Sequence, residues 1–381
     1  MFSYIYLVLF LFGTTTSFKT SILGSRTICR NMRLANTPLP DTNDYLKKTL
    51  KKENNILWKT LAAKAKETII WMHTYRTMQR ANKIGFPWQK YYDLGANNMK
   101  KLHQNYLKLN NPSIVYPDYY TQMFHYYDEG NLNWEAALDV VPSTMLIASK
   151  YWELVDVPTS QSWMRGNTTS SIQNHIDTFP SNHPNTGRIM DVACSGGIST
   201  KFLIEAFPDK EGIDAVDLSP HFLSVARFSH TTPESPIFTN LHEKITYHHL
   251  MAEDMYFESN SYDIVSISFL LHELPTKSAA EIITEAYRVL RPGGVLCVMD
   301  IAGKVVMNKF LFELSEPHIK QYYNTNPMKI MEDTGFTFIE TKENDPRNLL
   351  WIGTKPDKTP EVKTMTYLEW EELFREVHKF H

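Results

Sequence analysis

The sequence predicts a doubly wound α/β domain, a parallel sheet covered by helices on both faces, with a helical extension on its N-terminal side. Three observations predict it. After residue 187, short apolar runs alternate with helical segments, the pattern of strands joined by crossover helices. The first run, 188–194, enters a bend whose residues Ala193, Ser195, Gly196 and Gly197 are all small, as a turn that brings backbone close to a ligand requires. Upstream, from about 42 to 108, strand patterning is absent and apolar residues recur at helical spacing.

The elements follow in order. "MFSYIYLVLFLFG" is an apolar run of about a dozen residues, too short to span a bilayer comfortably, and reads as a cleaved secretory segment. From 14 to 40 the chain carries Lys19, Arg26, Arg30 and Arg33 with no acid before Asp41, which is transit-peptide composition. Together the two segments resemble the two-part presequences of algae with secondary plastids. Residues 1–40 are therefore expected to be a presequence addressing a plastid; secretion, a mitochondrial presequence and a membrane anchor are the alternatives. No stable membrane span is expected after processing.

Residues 41–186 are expected to form a helical N-terminal region, a candidate lid over the substrate. Leu57, Leu61, Ala65, Ile69 and Met72 mark its first amphipathic helix. "GFPW" at 85–88 ends that helix, and "LNNPS" at 109–113 breaks a second. A third is predicted near 133–153, after which "PTSQSWMRGNTTS" reads as a boundary.

The domain at 187–356 is assigned strands at 188–194, 212–217, 244–250, 262–269 and 294–300. Ser219 is placed as an N-cap with Pro220 at the first helical position. "SAAE" at 278–281 reads as a capping box. "RPGG" at 291–294 is expected to stop that helix. Another helix near 327–334 closes on Gly335, and "FTFIET" and "NLLWIGT" form an antiparallel pair around "ENDPR". Residues 357–381 carry a C-terminal helix with its own capping box, Thr366 with Glu369.

Charge narrows the function. Lys and Arg total 39 against 42 Asp plus Glu, a formal charge of -3, which offers no broad basic surface to a nucleic acid. Cys29, Cys194 and Cys297 are too few for a disulfide framework. No His or Cys stands at metal-ligand spacing, so a metal-free site is expected.

Open parallel sheets bind ligands beyond the carboxyl ends of their strands. Asp191 sits inside the first apolar strand and needs donors nearby. Asp217 ends the second strand twenty residues after Gly197, the distance at which an acid accepts from both ribose hydroxyls; capping the next helix is its alternative role. Past the third strand either Glu253 or Asp254 can meet an adenine amino group. The bend lacks the third glycine of a dinucleotide fingerprint, so pyrophosphate binding and hydride transfer are disfavoured. Three acids without a phosphate cradle suit an adenosine.

These motifs resemble the class I S-adenosylmethionine-dependent methyltransferases. Their first motif, D-x-G-x-G-x-G, here reads Asp191-Val-Ala193-Cys-Ser195-Gly-Gly197, and the likeness continues through "GIDAVDLSPHFLSVA", "MAEDMYFESNSYDIVSISFLLHELP" and "EAYRVLRPGGVLCVMD". The pattern is most similar to the ubiquinone and menaquinone methyltransferase branch. The resemblance implies a Rossmann-like sheet of seven strands with the last antiparallel, and S-adenosylmethionine as cofactor. Asp191 and the bend Ala193, Cys194, Ser195 and Gly197 would hold its methionine part, Asp217 and Leu218 the ribose, Ala252, Glu253 and Asp254 the adenine, with Ser268 nearby. Cys194 reads as a small buried residue rather than a nucleophile.

A small, apolar or aromatic molecule is the expected methyl acceptor, at oxygen, carbon or nitrogen. "LLHELP" at 270–275 follows the fourth strand, so His272 is the candidate base and Glu273 its partner; shaping the loop is the alternative. The aromatic stretch 115–134 supplies His125, Tyr127, Asp128 and Trp134 as candidate substrate contacts. Simple packing of one part against another is the alternative for these aromatics. A cofactor-binding regulator or scaffold of the same fold is the alternative function.

Overall fold

The structure, a computed structural model, describes residues 75–122, 127, 129–152, 155–180, 187–302 and 316–357. The presequence, the first amphipathic helix to residue 74 and the C-terminal helix predicted at 357–381 fall outside these, apart from residue 357. After a helical stretch at 75–83 come α1 (Trp88–Ala96), α2 (Met99–Leu109), α3 (Trp134–Ala148) and α4 (Val157–Thr178). The sheet domain then runs β1 (Arg188–Val192), α5 (Ile198–Ala206), β2 (Ile213–Asp217), α6 (Pro220–Thr231), β3 (Ile245–His249), β4 (Tyr262–Ser268), α7 (Thr276–Val289) and β5 (Leu290–Ile301). It finishes with α8 (Ile319–Tyr322), α9 (Pro327–Thr334), β6 (Thr337–Asp345) and β7 (Asn348–Thr354).

The seven strands form one sheet in the order β3-β2-β1-β4-β5-β7-β6. The first five are parallel, and β7 runs antiparallel to both β5 and β6. Because neighbouring residues of a strand face opposite sides, β1 divides its side chains between two cores. Met190 and Val192 join Val265, Leu296 and Val298 against Ile282, Ile283 and Ala286 of α7. Ile189 joins Ile213, Ile264, Cys297 and Ile352 against Met164 and Ile172 of α4 and Leu203 and Ile204 of α5. Burial on both faces is why these strands read as continuous apolar runs.

Three expectations change. "PTSQSWMRGNTTS" is no boundary but the body of α4, the 22-residue helix capped by Asp156, whose side chain accepts from Thr159 N at 3.0 Å. Its buried face is polar: Ser160, Gln161, Arg165, Thr168 and Thr169 lie inside with Met164 and Ile172, so apolar periodicity could not reveal it. Since α4 packs on the sheet, the change of texture at 187 marks new secondary structure and not a gap in packing. Second, α7 opens at Thr276 behind Pro275, with no side-chain cap; Ser278 lies inside its first turn. Third, "RPGG" does not precede β5 but lies within it, where the register on β4 jumps from Tyr262↔Leu290 to Ile264↔Val295.

Candidate functional site

The carboxyl ends of β1 to β5 bring Asp191, Asp217, His249, Ser268 and Asp300 to one edge of the sheet. The bend after β1 is shaped there by two different constraints. Gly197 has φ +86, and a Cβ on it would lie 2.6 Å from His230 Cε1, while one on Gly196 would lie 2.8 Å from Val141 Cγ2. Helices α3 and α6 thus press on the bend and admit no side chain at either position. Ala193 and Ser195 take φ of 55 and 53, the left-handed region that favours glycine. The two departures from the glycine motif therefore carry strain, on the order of 1 kcal/mol each.

Asp217 fastens that bend. Its Oδ2 accepts from Ser195 N at 2.8 Å and its Oδ1 from Ser219 N at 2.7 Å, which leaves each oxygen a further lone pair. Capping of α6 falls instead to Ser219, whose Oγ accepts from Phe222 N at 3.2 Å. Burial, and then the charge of Asp191, raise the Asp217 carboxyl to about 6, against the amides of Ser219, Ser195 and Leu218 that favour its charge.

Asp191 is fully buried. Its Oδ2 accepts from the Ser199 and Thr200 hydroxyls at 2.7 and 2.6 Å, whereas Oδ1 has no hydrogen-bond partner. Burial raises it too, to about 6, with the two hydroxyls and the Arg165 charge opposing. Cys194 is buried and its thiol is pushed well above the ordinary range by burial and the two acids, so no thiolate forms there.

The segment 111–120 crosses the ends of β2 and β3. Asn111 N donates to His249 Nδ1 at 2.9 Å, which makes Nε2 the protonated nitrogen facing Leu218 O at 3.0 Å. Tyr116 Oη lies 3.2 Å from the same Nε2 and its ring stacks on Tyr120, centroids 5.9 Å apart. Tyr119 donates its hydroxyl to Glu253. The two acids after β3 differ in their surroundings: Glu253 is partly buried under Tyr119, Asp254 is exposed and bridged to Met251. Ala252 is partly buried beside them.

Beyond β4, Ser268 is followed by Phe269 with φ 57, and the chain turns into the single helical turn Leu271–Glu273. His272 is buried there. Its Nδ1 lies 2.7 Å from Asp300 Oδ1, its backbone N donates to Asp300 Oδ2 at 3.2 Å, and its Nε2 is 4.0 Å from Glu273 Oε1. Burial opposes charge on the ring, but Asp300, then Glu273 and Glu316, outweigh it and push it up to about 10. At neutral pH the expected base already holds its proton. Burial, and then the charges of Asp217 and Glu273, raise the Tyr120 hydroxyl well above its ordinary range.

The substrate contacts expected from the aromatic stretch fare differently. His125 and Asp128 lie outside the described residues. Tyr127 is partly buried against the helical layer, next to Asp139 and Glu135. Trp134 packs, tilted or edge-on, among His103, Tyr106 and His221, at centroid distances of 4.8, 5.8 and 4.8 Å. Both sit in the packing of α1 to α3 and α6. The residues at the strand ends are Tyr116, Tyr119 and Tyr120 from the earlier half of the stretch, and Asp300 and His249, none of which sequence reasoning singled out. The position of Asp300 at the end of "VLCVMD" was the available signal.

Comparison with known proteins agrees with this geometry. Residues 189–294 match the family described as a methyltransferase domain. The chain is 27% identical over 180 residues to an uncharacterised methyltransferase of Synechocystis sp., a stretch covering 45% of this chain and 77% of that protein. It is 26% identical over 190 residues to a demethylmenaquinone methyltransferase of Staphylococcus epidermidis, covering 50% and 68%. Among solved structures, human N-acetylserotonin methyltransferase in complex with S-adenosylmethionine aligns with a TM-score of 0.43 and 12% identity, over 74% of this chain and 70% of that one. The matching domain and the relatives named as methyltransferases make the sheet domain similar to the S-adenosylmethionine-dependent methyltransferases.

Proposed function

We propose that the crevice at the strand ends binds S-adenosylmethionine and a small apolar or aromatic methyl acceptor side by side. The residues present suit the cofactor. Asp217 offers the spare lone pairs of two anchored oxygens to ribose hydroxyls. The orphaned Oδ1 of Asp191 calls for a donor, which an α-ammonium group supplies. Ala193, Ser195 and Gly197 leave the bend almost free of side chains around the methionine part, and Leu218, Ala252 and Glu253 flank the nucleoside. Cys194 contributes backbone, and Ser268 borders the acceptor side.

Tyr116, Tyr119 and Tyr120 supply aromatic surface on that side. The observation that carries the reading is Asp217 at the end of β2, fastened to the bend by Ser195 N and Ser219 N at 2.8 and 2.7 Å with a lone pair left on each oxygen. Demethylmenaquinone, the compound after which the Staphylococcus epidermidis relative is named, is an acceptor of this kind. None of the relatives described above favours a non-catalytic scaffold.

When bound, S-adenosylmethionine supplies a sulfonium methyl group for in-line displacement. The chain contributes alignment and exclusion of water. His272, held by Asp300 and carrying its proton, presents a cationic donor that stabilises an ionised acceptor oxygen. Glu273, 4.0 Å away, tunes that charge. With this role, turnover falls as pH rises through about 10; a free base would give the opposite slope.

The test incubates protein lacking residues 1–40 with labelled cofactor and a lipid and pigment extract. Label on quinone-like or other aromatic compounds is the expected result, and label confined to small hydroxy acids overturns it. We further propose that residues 1–40 address a plastid. A fluorescent fusion of that segment found in the secretory path or the mitochondrion overturns this assignment.

A further inference from the structure

Arg165 lies on α4, ahead of the region that matches the family. It is 5% exposed, and its Nε and Nη1 are buried without a hydrogen-bond partner. Guanidinium nitrogens buried without acceptors are costly, so their surroundings need an explanation. Its Cζ lies 5.3 Å from the centroid of Phe269, the strained residue at the end of β4. That ring holds the guanidinium by cation–π contact and supplies no acceptor.

Two acids act on Arg165 electrostatically, Asp191 and Asp345. Asp345 is saturated. Its Oδ1 accepts from Arg347 N and Asn348 N at 2.9 and 3.1 Å, and its Oδ2 from the side-chain amides of Asn344 and Asn348 at 2.9 and 2.8 Å. Asp191 makes no hydrogen bond to Arg165 either, although its own Oδ1 is unpartnered. Two buried guanidinium nitrogens lacking an acceptor and one buried carboxylate oxygen lacking a donor thus lie within electrostatic reach, unjoined.

One chemical group satisfies both, an α-amino acid zwitterion. We propose that Arg165 is the carboxylate-binding residue of the cofactor site, receiving the α-carboxylate of S-adenosylmethionine while Asp191 Oδ1 receives the α-ammonium. This rests on the cofactor placement proposed above and extends it to a residue of the N-terminal helical region. The planar fork of Arg matches a carboxylate bidentately. It also makes α4 part of the binding site, so the helical region helps to build the cofactor pocket as well as packing on the sheet.

The test is calorimetric and needs no acceptor. Full-length wild-type protein, Arg165→Gln and Arg165→Lys are titrated with S-adenosylmethionine and with its decarboxylated analogue, which keeps the nucleoside, sulfonium and ammonium. Wild type is expected to prefer the intact cofactor by about 10–100-fold, the range for hydrogen bonds to a charged group. Arg165→Gln should abolish that preference by weakening the intact cofactor alone, and Arg165→Lys should retain part of it.

Equal losses on both ligands would assign Arg165 a structural role and overturn the proposal. So would a wild type that does not discriminate between them, a measurement that stands even where a variant fails to fold. Wild-type protein that binds neither ligand would instead refute the cofactor placement itself, and the proposal with it.

Discussion

At the amino ends of the strands Asp214 takes Arg188 Nε at 2.7 Å, lies 2.7 Å from His248 Nε2 and accepts from Tyr262 Oη at 2.9 Å. Asp263, 3% exposed, is paired with Lys210 and with Arg291, the latter at 2.8 Å. At the carboxyl ends, a few residues along the same strands, Asp191 and Asp217 are as deeply buried but meet only hydroxyls and amides. Burial works against charge at both ends. His248 and Arg188 outweigh it for Asp214, which is lowered, whereas Asp191 and Asp217 rise to about 6. Acids whose oxygens are taken up by charged side chains hold the sheet together; acids to which no cation hydrogen-bonds keep capacity for a ligand.

Substitutions should separate the two ends, and the largest effect belongs to the amino end. Asp263→Ala takes its acid away from the buried Lys210 and is expected to cost about 3–5 kcal/mol of stability, read as a lowered denaturation midpoint. Cofactor affinity, measured where the variant is folded, should stay the same; a selective loss of affinity would break the contrast. At the carboxyl end, Asp217→Ala should weaken cofactor binding by more than about tenfold in a calorimetric titration. An unchanged affinity would remove Asp217 from the site.

Acid pH gives a graded version of the same contrast. Asp191 and Asp217 are raised above their unfolded values, so their contribution to stability is full below the unfolded carboxylate range and is lost as pH rises through about 6. Asp214 is lowered and has the opposite sign: its contribution is present above the unfolded value and lost as pH falls through the lower folded one. A cofactor that needs charged acids should therefore bind more weakly below about pH 6, by about tenfold per pH unit for each proton taken up. Titrations from pH 5 to 8 check this, and a flat profile would mean that neither acid is charged in the complex. The smallest effect is expected in the bend, where Ala193→Gly and Ser195→Gly should each raise stability by about 1 kcal/mol, seen in chemical denaturation.

Much of the sheet domain was legible in the sequence because its strands are buried on both faces and its breaks carry local chemistry. Ser219, Pro220 and Gly335 cap helices where their residue types predict. The long helix α4 was hidden by its polar interior, and with it Arg165, whose importance depends on neighbours 26 and 104 residues away in the chain, Asp191 and Phe269. Asp191 and Asp217 were legible as isolated acids in apolar strands. Asp300 ends an apolar run in the same way, but only the fold shows that it lies on His272. In the aromatic stretch, composition marks the segment, but which rings lie over the strand ends depends on the path of 111–120 across His249.

The alanine and serine at the first two glycine positions have a consequence for how ligand encounter proceeds. Side chains there narrow the range of shapes available to the loop before anything arrives, so the distortion is installed once, during folding, and need not be imposed again at each turnover. A glycine-rich relative would start from a looser ensemble and lose more freedom upon capture. The tighter version trades a little resistance to unfolding for a receptacle already in its receiving form.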